Sequence, residues 1–325
     1  MYKYIITAII IAIFAGCSAP KPKHAPSWYT SPPKDFKFIY SVASGESLTH
    51  AKNKAIINLR EQIQKDLDSV FTNKTTKLKL DESFDLTPIL KENERLVNTM
   101  SLIELKIEKT QKFNNQELIL LKTPRKAIFD RFNIIATKRL KNSKENYDSI
   151  QENDSWLKKY SILHNEMKNF AKLASIIEAR KLLINSYNNI SEINYLNNLY
   201  SDYIELKNQI SIYVLSDLNS MGFVKGVKTA LSSNGLELSS KPKSDKSLKI
   251  FITSTTQNVQ DYGFNKSKSL VKYTTYDLNK NKVAFKQHTF SAKSRKSYSD
   301  AKAQSLIHQN SKIKKLGIFD FLGVK

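Results

Sequence analysis

The chain has a single cysteine, Cys17, at the end of the run MYKYIITAIIIAIFAGC, in which Lys3 is followed by apolar residues from Ile5 to Phe14 and then by Ala15 and Gly16. Its thiol is the strongest nucleophile among the side chains, and the small residues before it fit a narrow peptidase cleft. The other candidates for chemistry are five histidines, His24, His50, His164, His288 and His308. None stands at metal-ligand spacing from another His or from Cys17, and His164 with Glu166 offers at most two ligands where zinc needs three or four. No G-x-S-x-G, H-E-x-x-H, G-x-x-x-x-G-K or G-x-G-x-x-G occurs. The expectation is a chain with no catalytic, cofactor-binding or metal-binding residues, hence one that is not an enzyme.

Phe14-Ala15-Gly16-Cys17 resembles the bacterial lipobox, with Phe14 where Leu is more usual. The resemblance implies diacylation of the Cys17 sulfur, cleavage after Gly16 and a third acyl chain on the new amino terminus. Each buried methylene contributes about 0.8 kcal/mol, so two or three chains hold a protein stably on a membrane. The run from Ile5 to Phe14 is too short to span a bilayer and has the length of a signal-peptide core. An ordinary secretory signal with an incidental cysteine is the alternative reading. Ser18 stands where an Asp would be the usual retention signal for the inner membrane, so the expected location is the outer membrane, by lipid anchor. Residues Ser18 to Pro33 carry Pro20, Pro22, Pro26, Pro32 and Pro33, and Pro-rich chain runs extended at about 3.1 Å per residue. They read as a spacer.

Charge is the strongest global signal. The chain of 325 residues has 52 Lys plus Arg against 30 Asp plus Glu, a formal charge of +22. One cysteine excludes a disulfide scaffold, and one continuously apolar stretch excludes a polytopic membrane protein. Clusters at Lys138-Arg139-Lys141, Lys158-Lys159, Lys241-Lys243-Lys246, Lys293-Arg295-Lys296 and Lys312-Lys314-Lys315 attract phosphates or anionic polymers. In a cell envelope those are lipid headgroups, lipopolysaccharide and peptidoglycan carboxylates, and no nucleic-acid partner is expected. The alternative is a solvated Lys-rich surface.

These residues must be positioned by folded elements. Phe38 to Ala43 is β-prone, and Ser44-Gly45-Glu46-Ser47 is a turn with an N-cap. Leu48, Ala51, Ala55, Ile56, Leu59, Ile63, Leu67 and Val70 follow at three- and four-residue steps, the period of an amphipathic helix. Ala51 and Ala55 predict close packing on a sheet. Alternation through Leu102, Ile103, Leu105 and Ile107, with Leu118 to Leu121 beyond Asn114-Asn115, predicts a hairpin closed at the Asn pair. Helical spacing then runs from Ala127, Ile128, Phe132, Ile135 and Leu140 to Tyr187, with breaks expected at Asn142-Ser143 and Asn188-Asn189. The aromatic and Met stripe from Trp156 to Phe170 reads as a packing seam.

The last part shows a strand at Ile210 to Val214 and a helix through Val224, Val227, Ala230 and Leu231, stopped by Asn234-Gly235. Three strands follow at Leu248–Thr256, Leu270–Asp277 and Val283–Phe290. A final helix capped by Ser299-Asp300 carries Ala301, Ala303, Leu306, Ile307 and Ile313. The predicted class is α+β: two small α/β sandwich domains, each an antiparallel sheet with helices on one face, flanking a helical hairpin or bundle. The expected divisions are a signal peptide at 1–16, a Pro-rich tether at 17–33, an α+β domain at 34–123, a helical domain at 124–208 and a second α+β domain at 209–325.

Within the first of these domains, Pro26-x-Trp28, Ser31-Pro32-Pro33, Tyr40-Ser41-Val42-Ala43-Ser44-Gly45-x-Ser47, Ala51-x-x-x-Ala55 and Leu59-x-x-Gln62-Ile63 resemble the LPP20 lipoprotein family and the related amino-terminal domain of flagellar assembly protein T. The resemblance implies one or two helices on a small antiparallel sheet, and it departs at Ala43, where many members have Gly, and at an insertion-like stretch from Lys74 to Asn98. Structural roles are expected for the motif residues: Trp28 as a core anchor, Ser44-Gly45 as a turn and the Ala pair as helix packing. Together these readings predict a non-enzymatic outer-membrane lipoprotein, a structural or assembly factor that docks envelope proteins, flagellar ones included. The alternative is an anion-binding module for peptidoglycan or lipopolysaccharide. A contiguous basic face would favour the second, and an exposed apolar groove the first.

Overall fold

Strand β1 (Phe38–Gly45) alternates half-buried and buried residues, sending Ile39, Ser41 and Ala43 inward. The computed structural model describes residues 24–102, 104–241 and 244–324. Cys17, the signal segment and the tether as far as Lys23 therefore lie outside the described residues. The chain forms two compact units, the first comprising residues up to Lys77, Ser83–Lys138 and Lys172–Ile190, the second Leu78–Glu82, Arg139–Ala171 and Ser191 onward.

In the first unit, a short helix α1 (Ser27–Thr30) precedes β1, and α2 (Leu48–Thr72) follows it. Ser47 caps α2 by accepting from the backbone N–H of His50, leaving one fewer unsatisfied donor in the first turn. The buried stripe is Ala51, Ala55, Leu59, Ile63, Leu67 and Phe71, one face of a 3.6-residue period. Three residues of the expected stripe miss it: Leu48 is exposed, and Ile56 and Val70 are half-buried. With only methyl groups at Ala51 and Ala55, the helix comes close enough for Ser41 Oγ to donate to the carbonyl of Ala55 at 2.8 Å and for Asn58 Nδ2 to reach the carbonyl of Val42 at 2.9 Å. A Cβ at Gly45 would fall 2.6 Å from the backbone nitrogen of Ala51, so that position admits only glycine.

The predicted hairpin is present as β2 (Lys106–Phe113) and β3 (Gln116–Pro124), closed by Asn114 and Asn115 at φ of 48° and 61°. Two positive φ values at an Asn pair match the right-handed twist of the paired strands. The order is β1-β3-β2, antiparallel throughout. As the middle strand β3 buries Leu118 to Leu121 consecutively, whereas the edge strand β2 leaves Ile107 exposed despite its alternating pattern. The stretch read as an insertion holds a helix, α3 (Thr87–Asn98), with Pro at its first turn. It packs through Ile89, Asn93, Leu96 and Val97, and Asn93 Nδ2 donates to Asp68 of α2 at 2.8 Å. Trp28 corrects the expectation of a core anchor: it is half-buried, edge-on to Tyr29.

Three long helices follow, α4 (Arg125–Asp148), α5 (Trp156–Leu183) and α6 (Ile190–Gln209), and the division between units falls inside α4 and α5 and at the start of α6. The expected break at Asn142-Ser143 does not occur. The hydroxyl of Ser143 donates to buried Glu166 at 2.5 Å and lies 2.7 Å from Tyr195 Oη, so it leaves the helical backbone bonds intact. The chain breaks instead between Ser149 and Ser155, and again around Asn188-Asn189 as predicted. Ile135, expected on the buried face of α4, is exposed.

The second unit carries the larger sheet, β4 (Ser211–Ser216), β5 (Glu237–Leu238), β6 (Ser247–Asp261), β7 (Phe264–Tyr276) and β8 (Lys282–Ser294), in the order β5-β4-β6-β7-β8. A short 3₁₀ turn at Leu218–Ser220 leads into α7 (Met221–Ser233), which joins β4 to β5; α8 (Tyr298–Leu316) and α9 (Ile318–Leu322) close the chain. The α+β class is the predicted one, with one difference. β6, β7 and β8 are antiparallel, but β4 runs parallel to both β5 and β6, because a strand–helix–strand crossover returns the chain to the end at which it started.

Candidate functional site

Helix α7 turns Phe223, Val227 and Leu231 into the core of the second unit, and on the neighbouring flank it presents Gly222, Gly226, Thr229, Ala230 and Ser233. Helix α8 buries Ala301, Ser305, Gln309 and Ile313. That corrects the expected face, since Ile307 is exposed, Ala303 exposed and Leu306 half-buried. Its cap is Ser297, whose hydroxyl accepts from the Asp300 N–H at 3.0 Å, rather than Ser299-Asp300. The cap thus lies two residues earlier than expected.

Between the small-residue flank of α7 and the Leu306, Asn310, Ile313 and Lys314 side of α8 lies an open groove of about 830 Å³, with Gly317 and Ile318 at one end. Gln309 fixes its floor. The side chain is buried, and its Nε2 donates to the carbonyl of Phe223 at 2.8 Å and to Tyr273 Oη at 3.1 Å, tying α8 to α7 and to the sheet. Gly226 lets the helices cross closely, since a Cβ there would fall 2.3 Å from Asn310 Oδ1. Behind the groove, Phe321 of α9 stacks on His288 at 4.4 Å and meets Tyr273 edge-on at 4.9 Å. Gly317, at φ of 80°, supplies the left-handed turn that swings α9 back onto the sheet. The groove walls are mostly apolar or small, and the titratable groups among the lining residues are Lys225 and Lys314. Such a surface can take up an apolar segment and pair acidic groups beside it; it offers no acid–base pair for proton transfer.

Of the five histidines singled out in the sequence, His288 and His164 pack within the fold. His288 Nε2 donates to the carbonyl of Phe321 at 2.8 Å, and its pKa is lowered by burial against that hydrogen bond. His164 lies among Tyr160, Tyr203 and Phe319, and burial, reinforced by Lys168 and Lys207, takes its pKa down to about 4. Glu166 is turned away from it toward Ser143 and Asn146, accepting from Asn146 Nδ2 at 2.7 Å. His308 meets the carbonyl of Ser291 at 2.9 Å, while His24 and His50 are exposed. Among the described residues no three His, Cys, Asp or Glu side chains converge as a metal site would require, and no helix is long and apolar enough to cross a membrane.

The basic clusters are partly neutralised where they stand. Lys158 pairs with Asp154 at 2.7 Å, Lys159 donates to the carbonyl of Glu152 at 2.8 Å, and Lys293 pairs with Asp261 at 2.7 Å. Lys246 is bonded to Gln209. The sequence reading missed the groove, although the four-residue spacing of Gly222, Gly226 and Ala230 signals a helix flank without side-chain cover.

No family model matches the chain, and no curated protein does. Among solved structures it is similar to a minor lipoprotein from Acinetobacter baumannii (13% identity, TM-score 0.29), over 35% of this chain and 97% of the other. It is similar to the secreted protein HP1454 from Helicobacter pylori (12% identity, TM-score 0.32), over 86% of this chain and 98% of the other. Lipoprotein GNA1162 from Neisseria meningitidis is similar at 14% identity and TM-score 0.23, over 33% of this chain and 99% of the other. At these scores the likenesses fix neither fold nor function, and the functional reading rests on this chain's own residues.

Proposed function

We propose that this chain is a lipid-anchored envelope protein, tethered to the outer membrane through Cys17, which docks other envelope proteins and binds without turnover. The observation that carries the docking role is the open groove between α7 and α8, apolar along its walls and flanked by Lys225 and Lys314. Its occupant is an apolar segment of a partner protein, helical in width, with carboxylates placed to meet the two lysines. The Pro-containing stretch between Cys17 and α1 supplies the tether that lets the folded part reach such a partner above the lipid.

The test is site-specific photo-crosslinking in intact envelopes. A photoreactive residue at Thr229 should give one discrete adduct with one envelope protein. The adduct should be lost when Gly222→Phe fills the groove and weakened by Lys225→Glu with Lys314→Glu. A diffuse ladder of adducts, or an adduct indifferent to the groove substitutions, contradicts the docking role.

A further inference from the structure

The larger sheet has a second face, opposite α7, α8 and α9. Strand registers place in its rows Lys249, Phe251, Thr253, Thr255, Gln257 and Val259 from β6, Tyr276, Thr274, Lys272, Leu270, Lys268 and Lys266 from β7, and Lys282, Phe285, Gln287, Thr289, Ser291 and Lys293 from β8. All are exposed or half-buried, whereas the alternate residues Ile250, Ile252, Val271, Tyr273, His288 and Phe290 are buried beneath the helices. These rows hold six lysines, and the one acidic residue that continues them is Asp261 at the end of β6. Asp261, the last residue of β6 on this face, pairs with Lys293 and also feels the charge of Lys266, which leaves Lys249, Lys268, Lys272 and Lys282 without a carboxylate in these rows.

We infer that this face binds a glycan strand whose peptide stems carry carboxylates, the chemistry of peptidoglycan. Same-face residues recur about every 6.8 Å along a strand and about 4.8 Å between strands, so the rows from Lys266 to Tyr276 form a strip about 34 Å long. An extended polymer suits that shape better than a single headgroup. Between the lysines lie hydroxyl and amide side chains, Thr253, Thr255, Gln257, Thr274, Gln287 and Thr289, which pair with sugar hydroxyls. At one end Phe251 and Phe285 present their rings, with Lys249 and Lys282 over them at 5.7 Å and 5.6 Å, as a platform for the apolar face of a sugar ring. Phe251, Leu270 and Val259 are separated by polar residues along the registers, so the strip has no continuous apolar track for the acyl chains of a lipid. Charge complementarity with spaced carboxylates and the polar lining decide the ligand.

The site rests on the envelope location proposed above, but its test does not need the lipid anchor. The full protein in detergent is sedimented with purified peptidoglycan sacculi. It should co-sediment at low salt and be released as salt rises to about 0.3 M, where the Debye length falls below about 10 Å. Lys266→Glu with Lys268→Glu and Lys272→Glu should lower affinity by about tenfold or more, since each exposed charge pair contributes up to about 1 kcal/mol. Reversal of three exposed lysines on the other unit, Lys52, Lys54 and Lys65, should leave most of the binding intact. Sacculi whose carboxyls are amidated should no longer hold the protein. The inference is overturned by absence of co-sedimentation, by equal losses in the two triple variants, by unchanged binding to amidated sacculi, or by preferential binding to lipopolysaccharide aggregates. A protein that binds sacculi through this face yet does not depend on Cys17 for membrane association would overturn the anchor and not the site.

Discussion

Gly226 and Asn310 face each other across the α7–α8 crossing so closely that a Cβ on the glycine would fall 2.3 Å from the Asn310 carbonyl oxygen. The atom met is the free end of a side chain, which can swing aside, so Gly226→Ala should leave stability within about 1 kcal/mol, the gain in helix propensity offsetting the contact. Gly226→Leu cannot be accommodated in that way. It should cost about 1–3 kcal/mol by overpacking, read as a lowered urea midpoint.

Gln309 holds the floor of the groove by two donated hydrogen bonds. Gln309→Leu keeps the volume and removes the donors, leaving the Phe223 carbonyl and the Tyr273 hydroxyl underpaired in the core. A loss of about 1–3 kcal/mol is expected, together with slower adduct formation at Thr229 as α8 loosens from α7. Unchanged stability would mean that water satisfies both groups and that Gln309 does not fix the groove.

Ala55 is fully buried against the first sheet, and its carbonyl accepts from Ser41. Ala55→Leu should overpack this contact at a cost of about 1–3 kcal/mol. Thermal unfolding reads the effect, and an unchanged midpoint would contradict the helix-on-sheet packing.

Stability should fall on acidification. His164 has a folded pKa of about 4 against an ordinary value of 6.5, so the unfolded chain takes up a proton first. The His164 contribution is intact above about pH 6.5, declines as pH drops toward about 4 and is level below that. The ring is partly open to solvent, which reduces the change to about 1–3 kcal/mol. His164→Phe should flatten the urea midpoint between pH 7 and pH 4.5 by that share, leaving the smaller part due to His288, whose pKa is lowered by burial in the same sense. An equal slope in variant and parent would contradict the packing assigned to His164.

The helix through Ala51 and Ala55 and the Asn-Asn hairpin were legible because each signal is local: a stripe, a cap, a two-residue turn. Helix α3 was not, because its buried set of Ile89, Asn93, Leu96 and Val97 includes an Asn whose burial depends on Asp68 in another helix. Ser143 misled for the same reason, its partner Glu166 lying on α5. The buried face of α8 was not legible either, because it includes the polar Ser305 and Gln309, and Gln309 finds its partners on α7 and β7. The basic clusters were conspicuous along the chain, yet the lysine-rich strip on the sheet draws its lysines from three strands. Strand pairing, which composition does not reveal, brings them together.

The most direct test of the account is labelling with a palmitate analogue, followed by fractionation of the envelope, for the parent chain and for Cys17→Ser. The account predicts that the parent carries the label and fractionates with the outer membrane after a detergent-free wash, and that Cys17→Ser carries no label and is lost from that fraction. Outer-membrane association by the unlabelled variant, equal to that of the parent, would contradict it.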